Sequence, residues 1–556
     1  MTDPAPDLYL SRKAQMFPTL TPAQIGRIAQ HGQHRRMKVD ESLFEVGDRD
    51  TPFYVSVDAD MEILRPDAHG EERVVLHGPG EFTGEINMLS GRRALVRGRI
   101  AREGDVVVLD RERLRDLVQR DSELSEILMR AFILRRAGLI SEGGEMVLIG
   151  SRHSAGTMQL REFLTRNAHP FTYQELETEP GVQEFLDRFH VGVNEIPLVV
   201  CRGGKLLRNP SIDLLAEHLG LSSDLRGEVT RDVVIVGAGP AGLAAAVYAA
   251  SEGLNVLVIE STAPGGQAGT SSRIENYLGF PTGISGQALA GRAFTQAEKF
   301  GADIAIARRV VRLDCDSQPY RLHLDNGQTI QTRSIIIATG ARYRKPDLPE
   351  LARFEGLGVF YAATHLEAQL CKAEEVAVVG GGNSAGQAAV FLSEIARQVH
   401  VLVRGEGLAD SMSRYLIQRV TTTPNITLRP RTRVEALEGQ DGLESIRCRQ
   451  LETDTVQTFP VRHLFLMTGA DPHTDWLQGC VQLDDKGFIK TGADLTTDEV
   501  NGPWRRLARR PFLLETSIPG VFAVGDARAG NVKRVASAVG EGSICVQLVH
   551  RALQAL

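Results

Sequence analysis

Two segments of the chain carry glycines at spacings that let a polypeptide backbone approach a pyrophosphate. The first reads Asp232-Val-Val-Ile-Val-Gly237-Ala-Gly239-Pro240-Ala241-Gly242, the second Val376-Ala-Val-Val-Gly380-Gly-Gly382-Asn383-Ser384-Ala385. Each follows a Val/Ile-rich strand and opens an Ala-rich helix. In such a turn the first glycine permits the tight bend and the second admits the phosphates. The third lets helix and strand pack closely. The helix N-terminus adds amide donors and the positive end of its dipole. After the first fingerprint, the strand Asn255-Val-Leu-Val-Ile259 ends in Glu260, placed to accept from ribose hydroxyls. After the second, Val399-His-Val-Leu-Val403 runs into Arg404. An arginine there can stack on adenine and pair with a 2′-phosphate, favouring NADPH over NADH; the alternative is a solvated surface arginine. Two such sites point to electron flow between a flavin and a nicotinamide.

Thiol chemistry has little support. The six cysteines (Cys201, Cys315, Cys371, Cys448, Cys480 and Cys545) stand singly, with no CxxC. That excludes a local zinc knuckle and a neighbouring dithiol centre, and no metal site is expected. Isolated, mostly apolar-flanked cysteines are expected to be buried small hydrophobes, in a reducing cytoplasm. A net charge of −7 argues against general nucleic-acid binding. No apolar run is long enough to span a bilayer, and the first residues lack the features of a secretion signal.

The 556 residues exceed one core, so about three or four domains are expected. From Leu20 to Leu109, short alternating strands separated by Gly, Pro and Asp turns predict an antiparallel β barrel or roll. A charged helical run from Asp110 through Leu134 follows, then a compact strand–helix alternation from Met146 to Leu221. Ser222-Ser-Asp-Leu-Arg-Gly-Glu228 reads as a linker. The rest is doubly wound α/β, with two nucleotide folds nested. Ile335-Ile-Ile-Ala-Thr339-Gly340 should return to the first sheet, and Leu464-Phe-Leu-Met-Thr-Gly469 should close the second. Pro519-Gly-Val-Phe-Ala-Val-Gly525-Asp526 should return to the first unit.

Residues 229–556 resemble the low-molecular-weight thioredoxin reductases. Besides the two fingerprints, the landmarks are Gly265-Gly266-Gln267, Ile274-Glu-Asn276-Tyr277, Ala338-Thr339-Gly340, Gly525-Asp526 and Arg534-Val-Ala536. The resemblance implies FAD in the first unit and NADPH in the second. It places Asp526 on the ribityl chain, Gln267 and Asn276 near the flavin and Ala536 at the ring edge, with Gly266 and Arg534 also binding the cofactor. It further implies a homodimer, and a domain rotation that presents nicotinamide and substrate to the flavin in turn. The chain departs from the family where the redox-active CxxC should stand: it reads Ala362-Ala363-Thr364-His365. Alanine cannot attack a disulfide, so the usual relay is excluded there. His365 is a candidate proton donor, with packing as its alternative.

Residues 146–221 resemble a glutaredoxin-like thioredoxin fold, opening on Met146-Val-Leu-Ile149. The resemblance implies a cis proline at Ile196-Pro197 and puts Ser154 and Thr157 at the dithiol positions, which favours docking or scaffolding. Residues 20–135 resemble a cyclic-nucleotide-binding domain, with Phe82-Thr-Gly84-Glu85 to Arg92-Arg93-Ala94 as its phosphate cassette. That implies Glu85 on a ribose 2′-hydroxyl and Arg92 on a cyclic phosphate; the alternative is a β-roll used for dimerisation or interdomain packing. The expected fold is therefore multidomain. An N-terminal β-roll with helices (1–142) and a small thioredoxin-like α/β domain (143–224) precede nested Rossmann-like FAD (229–345 and 476–556) and NAD(P) (346–475) domains. The expected function is an FAD-dependent NADPH oxidoreductase whose acceptor is a small electron-carrier protein, a quinone or dioxygen. The alternative is a redox or nucleotide sensor.

Overall fold

The computed structural model describes residues 13–555 apart from 68–69, 85–86, 91–92, 142–145, 153, 177, 179–181, 183–185, 187–190, 202–204, 222–224, 226–228, 410–411, 441, 478, 501–503, 505–506 and 508. Glu85 and Arg92 of the expected cassette thus lie outside the described residues, as does all of the expected linker except Leu225.

The short N-terminal strands pair antiparallel in two sheets. One orders Gln33–Met37, Gly104–Leu109 and Phe53–Ser56; the other orders Ser42–Phe44, Arg97–Arg102, Asp60–Asp67 and Gly70–His77. The charged run that follows is two helices, Arg111–Arg120 and Ser122–Ser141, rather than one. Asp121 breaks it: its backbone is extended (φ −107°, ψ 101°), and its carboxylate accepts from the Leu124 amide at 3.0 Å.

The next unit has the strand order Thr172–Glu175, Val147–Gly150, Leu198–Val200, Leu206–Arg208. The first pair is parallel and the others antiparallel, and the Ile196–Pro197 bond is cis, as the thioredoxin-like reading expects.

In the first nucleotide unit, Arg231–Val236 lies between Val256–Glu260 and Thr329–Ile337, all parallel, with Asp303–Ile306 beyond. Val521–Ala523 returns parallel to Thr329–Ile337, nearly 190 residues later in sequence. Both return strands expected from the sequence are therefore in this sheet. The helix Pro240–Ser251 begins with Pro240 in its first turn, where a missing N–H costs nothing. Its alanines let it lie sandwiched between the sheet and the helix Val535–Ala555. The approach is so close that a Cβ on Gly542 would meet the Ala241 carbonyl at 2.2 Å. The second unit centres Glu375–Val379 between Gln398–Leu402 and His463–Leu466, again parallel. The chain passes between the two units through Ala341–Tyr343 and Ala470–Pro472, which pair antiparallel.

The unit at 146–221, expected to be thioredoxin-like, is not a separate bead. One apolar cluster runs from its Leu148, Leu160 and Phe163 into Val233, Phe294 and Val546 of the first nucleotide unit. Its helix Ala155–Arg166 ends against the loop after Glu260: Asn167 donates to the Thr262 carbonyl at 3.2 Å, and Gln287 donates to Thr165 at 2.8 Å.

Candidate functional site

Both fingerprints open at the C-terminal ends of their parallel strands, where open α/β sheets bind ligands. The two ends face one cleft of about 1290 Å³. Steric facts sort the glycines by role. Gly237 has φ +105°, and a Cβ there would strike the Ala338 carbonyl at 2.4 Å. A Cβ on Gly242 would lie 1.9 Å from the Gly237 carbonyl, so this position serves helix–strand packing and does not line the cleft. Gly239 is different: it caps the helix, lines the cleft, and a Cβ would find only the Gly266 Cα, at 4.0 Å. Gly380 (φ +144°) abuts the Met467 carbonyl at 2.5 Å, whereas a Cβ on Gly382 would meet nothing within 4 Å. Each fingerprint thus leaves one glycine facing empty cleft at a helix N-terminus. That is the shape a dinucleotide's phosphates require, so both sites fit the groups expected in them.

Around the first fingerprint the cleft is lined by Pro240, Ala241, Glu260, Gly266, Gln267, Asn276, Thr339, Gly340, Gly525, Asp526 and Arg534. Glu260 is ordered by two backbone amides, accepting from Ala238 and Thr262 at 2.8 Å each. Gln267 donates to the Ala341 carbonyl, tying the flavin-side turn to the strand that leaves for the second unit. Burial pushes the Asp526 carboxyl up. Around the second fingerprint, Asn383, Ser384 and Arg404 line the cleft. The Asn383 carbonyl oxygen accepts from the Ser413 amide at 2.7 Å, and Arg404 is exposed at the end of its strand.

Three residues expected at the site do not line the cleft. His365 does not line the cleft: it is exposed at the start of the helix His365–Leu370, its ring edge-on to Phe391 at 5.1 Å. Thr364 and Glu367 form the capping box that fixes where this helix begins. Ala536 is exposed and outside the cleft; the helical turn sends Val535 and Ala538 there instead. Ala385 is fully buried in its helix and its side chain does not line the cleft. The cysteines also divide. Cys201, Cys371, Cys448 and Cys545 are buried thiols, and burial pushes Cys371 up to about 12. Cys315 and Cys480, expected to be isolated, form a disulfide across 165 residues; neither lines the cleft.

Sequence reasoning missed several lining residues. Glu367 is buried, and desolvation raises its carboxyl, with Glu162 adding to the effect. Burial works to raise Glu355, but hydrogen bonds from Lys345 and Tyr361 outweigh it and hold the group low. Most unexpected is the wall contributed by the thioredoxin-like helix through Ala155, Met158, Gln159, Glu162 and Arg166. No motif marks these side chains, because their partners lie about a hundred residues away.

In the N-terminal unit, Gly84 has φ +104°, and its carbonyl accepts from buried Arg135 at 2.9 Å. The Ala94 amide donates to Asp48 at 2.9 Å. The described residues contain no cluster of three or more metal-ligating side chains and no helix long and apolar enough to cross a membrane.

Comparison with known proteins agrees with this geometry. Residues 231–542 match the family model for pyridine nucleotide-disulphide oxidoreductases, and residues 34–121 match that for cyclic nucleotide-binding domains. NADPH-dependent thioredoxin reductase 3 of Arabidopsis thaliana is 33% identical over 63% of this chain, which spans 65% of that relative's length. Thioredoxin reductase of Escherichia coli O157:H7 is 33% identical over 58% of this chain and 96% of its own. The crystal structure of Lactococcus lactis thioredoxin reductase in its FR conformation superposes with a TM-score of 0.53 at 28% identity, covering 59% of this chain and 100% of that one. With paired fingerprints facing one cleft, these matches show that the chain belongs to the pyridine nucleotide-disulphide oxidoreductase family, in its thioredoxin reductase-like branch, an enzyme class whose cofactors are FAD and NADPH.

Proposed function

We propose that the chain takes electrons from NADPH through FAD and delivers them to an acceptor other than an in-chain dithiol. The observation that carries this reading is the composition of the cleft wall. Ala362 lines it at the family's thiol position, the four free cysteines are buried, and the one disulfide lies outside it. A thiolate relay needs a reachable cysteine sulfur, and among the described residues no cysteine lines the cleft.

FAD, when bound, supplies a two-electron carrier between a hydride donor and the acceptor. The chain's own residues do the rest. Gly237 and Gly239 admit the first dinucleotide to the helix start at Pro240, and Ala241 walls the site. Glu260, already held by two amides, keeps acceptor capacity for ribose hydroxyls. Gly266, Gln267, Asn276, Thr339, Gly340, Gly525, Asp526 and Arg534 enclose the flavin end. Gly380, Gly382, Asn383 and Ser384 receive NADPH, with Arg404 on its 2′-phosphate. The acceptor is a small electron-carrier protein, a quinone or dioxygen, and the working unit is a homodimer. A cytoplasmic setting fits the NADPH supply, although the Cys315–Cys480 disulfide runs against the reducing poise there. Anaerobic reduction by NADPH, followed by a screen of reoxidants, tests the assignment. Reoxidation by a carrier, quinone or dioxygen is expected; efficient turnover of thioredoxin disulfide overturns it.

A second reading, a redox or nucleotide sensor, draws on the cyclic nucleotide-binding match and on docking of that unit against the flavin unit, where Gln119 donates to the Lys299 carbonyl at 3.2 Å. Stopped-flow mixing with NADPH separates the two, since a sensor bleaches its flavin slowly and an enzyme rapidly.

A further inference from the structure

The helix Ala155–Arg166 lies outside the segment that matches the family, in the unit that precedes it. Its ends touch both nucleotide units. At the N-terminal end, Ala155 packs on Gly356 so tightly that a Cβ there would meet the Ala155 side chain at 2.9 Å. At the C-terminal end, Arg166 reaches into the FAD side of the cleft. One Nη donates to the Gly266 carbonyl at 3.0 Å, and the other to Glu162 at 3.2 Å. Gly265 and Gly266 both have positive φ, +99° and +53°, and Gly266 lies against Gly239. The guanidinium therefore grips the bend that abuts the open glycine of the first fingerprint. Its charge is felt across the site: it opposes the upward pull that burial and Asp526 exert on Tyr343. A guanidinium carries five N–H donors, and the two bonds above use two of them. Glu162, 38% exposed at its side chain, is a half-solvated counter-ion that neutralises this charge incompletely.

We propose that Arg166, supplied by the thioredoxin-like unit, is an FAD-binding residue that places a fixed positive charge beside the cofactor's diphosphate and holds the Gly265–Gly266 bend for it. A unit that carries no dithiol thus completes the flavin site of its neighbour. This rests on FAD occupying the cleft of the first fingerprint.

Fluorescence titration of the FAD-stripped full chain with FAD tests the proposal. Arg166→Gln is expected to weaken FAD binding about tenfold, the scale of one charge-assisted contact. Arg166→Lys keeps the charge and should stay within about threefold of wild type, and the loss in Arg166→Gln should shrink in high salt. Glu162→Gln, which removes the counter-charge, should bind FAD no more weakly than wild type. Gln287→Ala cuts a neighbouring contact between the two units at an exposed side chain and should leave affinity unchanged. An Arg166→Gln affinity within twofold of wild type overturns the proposal. So does a Gln287→Ala loss as large as that of Arg166→Gln, which would assign the effect to docking rather than charge. Failure of the wild-type chain to bind FAD would instead overturn the reading of the cleft itself.

Discussion

Gly239 and Gly242 stand three residues apart and answer a methyl group in opposite ways. At Gly242 a Cβ lands 1.9 Å from a carbonyl oxygen, and neither backbone can retreat. Gly242→Ala is expected to destabilise the flavin unit by about 1–3 kcal/mol or prevent its folding. At Gly239 the φ of −69° suits any residue and the space is open, so Gly239→Ala should fold normally. Its methyl group projects where the phosphates need the backbone, so FAD affinity should fall by about tenfold or more. Melting curves beside FAD titrations separate the two; equal affinity in Gly239→Ala and wild type would remove the phosphate assignment. Arg404 is decided by a ratio. Arg404→Ala should lower the preference for NADPH over NADH by about tenfold, the worth of one charge-assisted pair. Loss of both cofactors in equal measure would make it a surface arginine.

At the scale of elements, the nested nucleotide folds were legible because each local signal agreed with the next. A Val-rich strand, glycines at fixed offsets, an alanine helix and a charged strand tip all specify one unit. The cis Ile196–Pro197 bond was expected only through the resemblance, since X-Pro bonds are rarely cis. Three things were not legible. For His365 the motif alignment leaves proton donation and packing both open, and only the structure shows the exposed ring edge-on to Phe391 at the start of its helix. The helix Ala155–Arg166 carries no nucleotide signature, and its role follows only from where the apolar cluster docks it. Cys315 and Cys480 lie 165 residues apart, a spacing that says nothing about pairing. Their bond ties the end of the strand Val310–Asp314 to the segment carrying His473 and Trp476, both on the cleft wall. A cross-link closing so long a loop stabilises by about 2–4 kcal/mol, mainly by restricting the unfolded chain. Cys315→Ser should therefore unfold at lower urea, read through the fluorescence of Trp476 and Trp504 together, while NADPH still bleaches the flavin. If bleaching persists but reoxidation by the acceptor fails in that variant, the disulfide is an electron station, and the non-dithiol assignment falls.

At the scale of the whole molecule, the four units form one contact chain with the flavin cleft in the middle. Arg93, in the cassette of the N-terminal unit, packs on Gly220 of the thioredoxin-like unit, where a Cβ would meet its Nε at 2.8 Å. The thioredoxin-like unit in turn supplies one wall of the cleft. Contiguity alone is not coupling; both sites must bias a common equilibrium. The candidate for that equilibrium is the placement of the second nucleotide unit, because Ala155 packs on Gly356 of that unit while Arg166 and Asn167 hold the flavin unit. A ligand in the cassette that shifts Arg93 would load one end of this arrangement. Reciprocity then fixes the form of the result. Cyclic AMP or cyclic GMP should change the affinity for NADP⁺ by about fivefold or more, and NADP⁺ should change the cyclic nucleotide affinity by the same factor. Calorimetry run in both orders measures both numbers, and Arg93→Ala should bring the factor close to one without abolishing either binding event. Binding heat for the cyclic nucleotide with an unchanged NADP⁺ affinity would leave the N-terminal unit as a docking module with no say over the redox site.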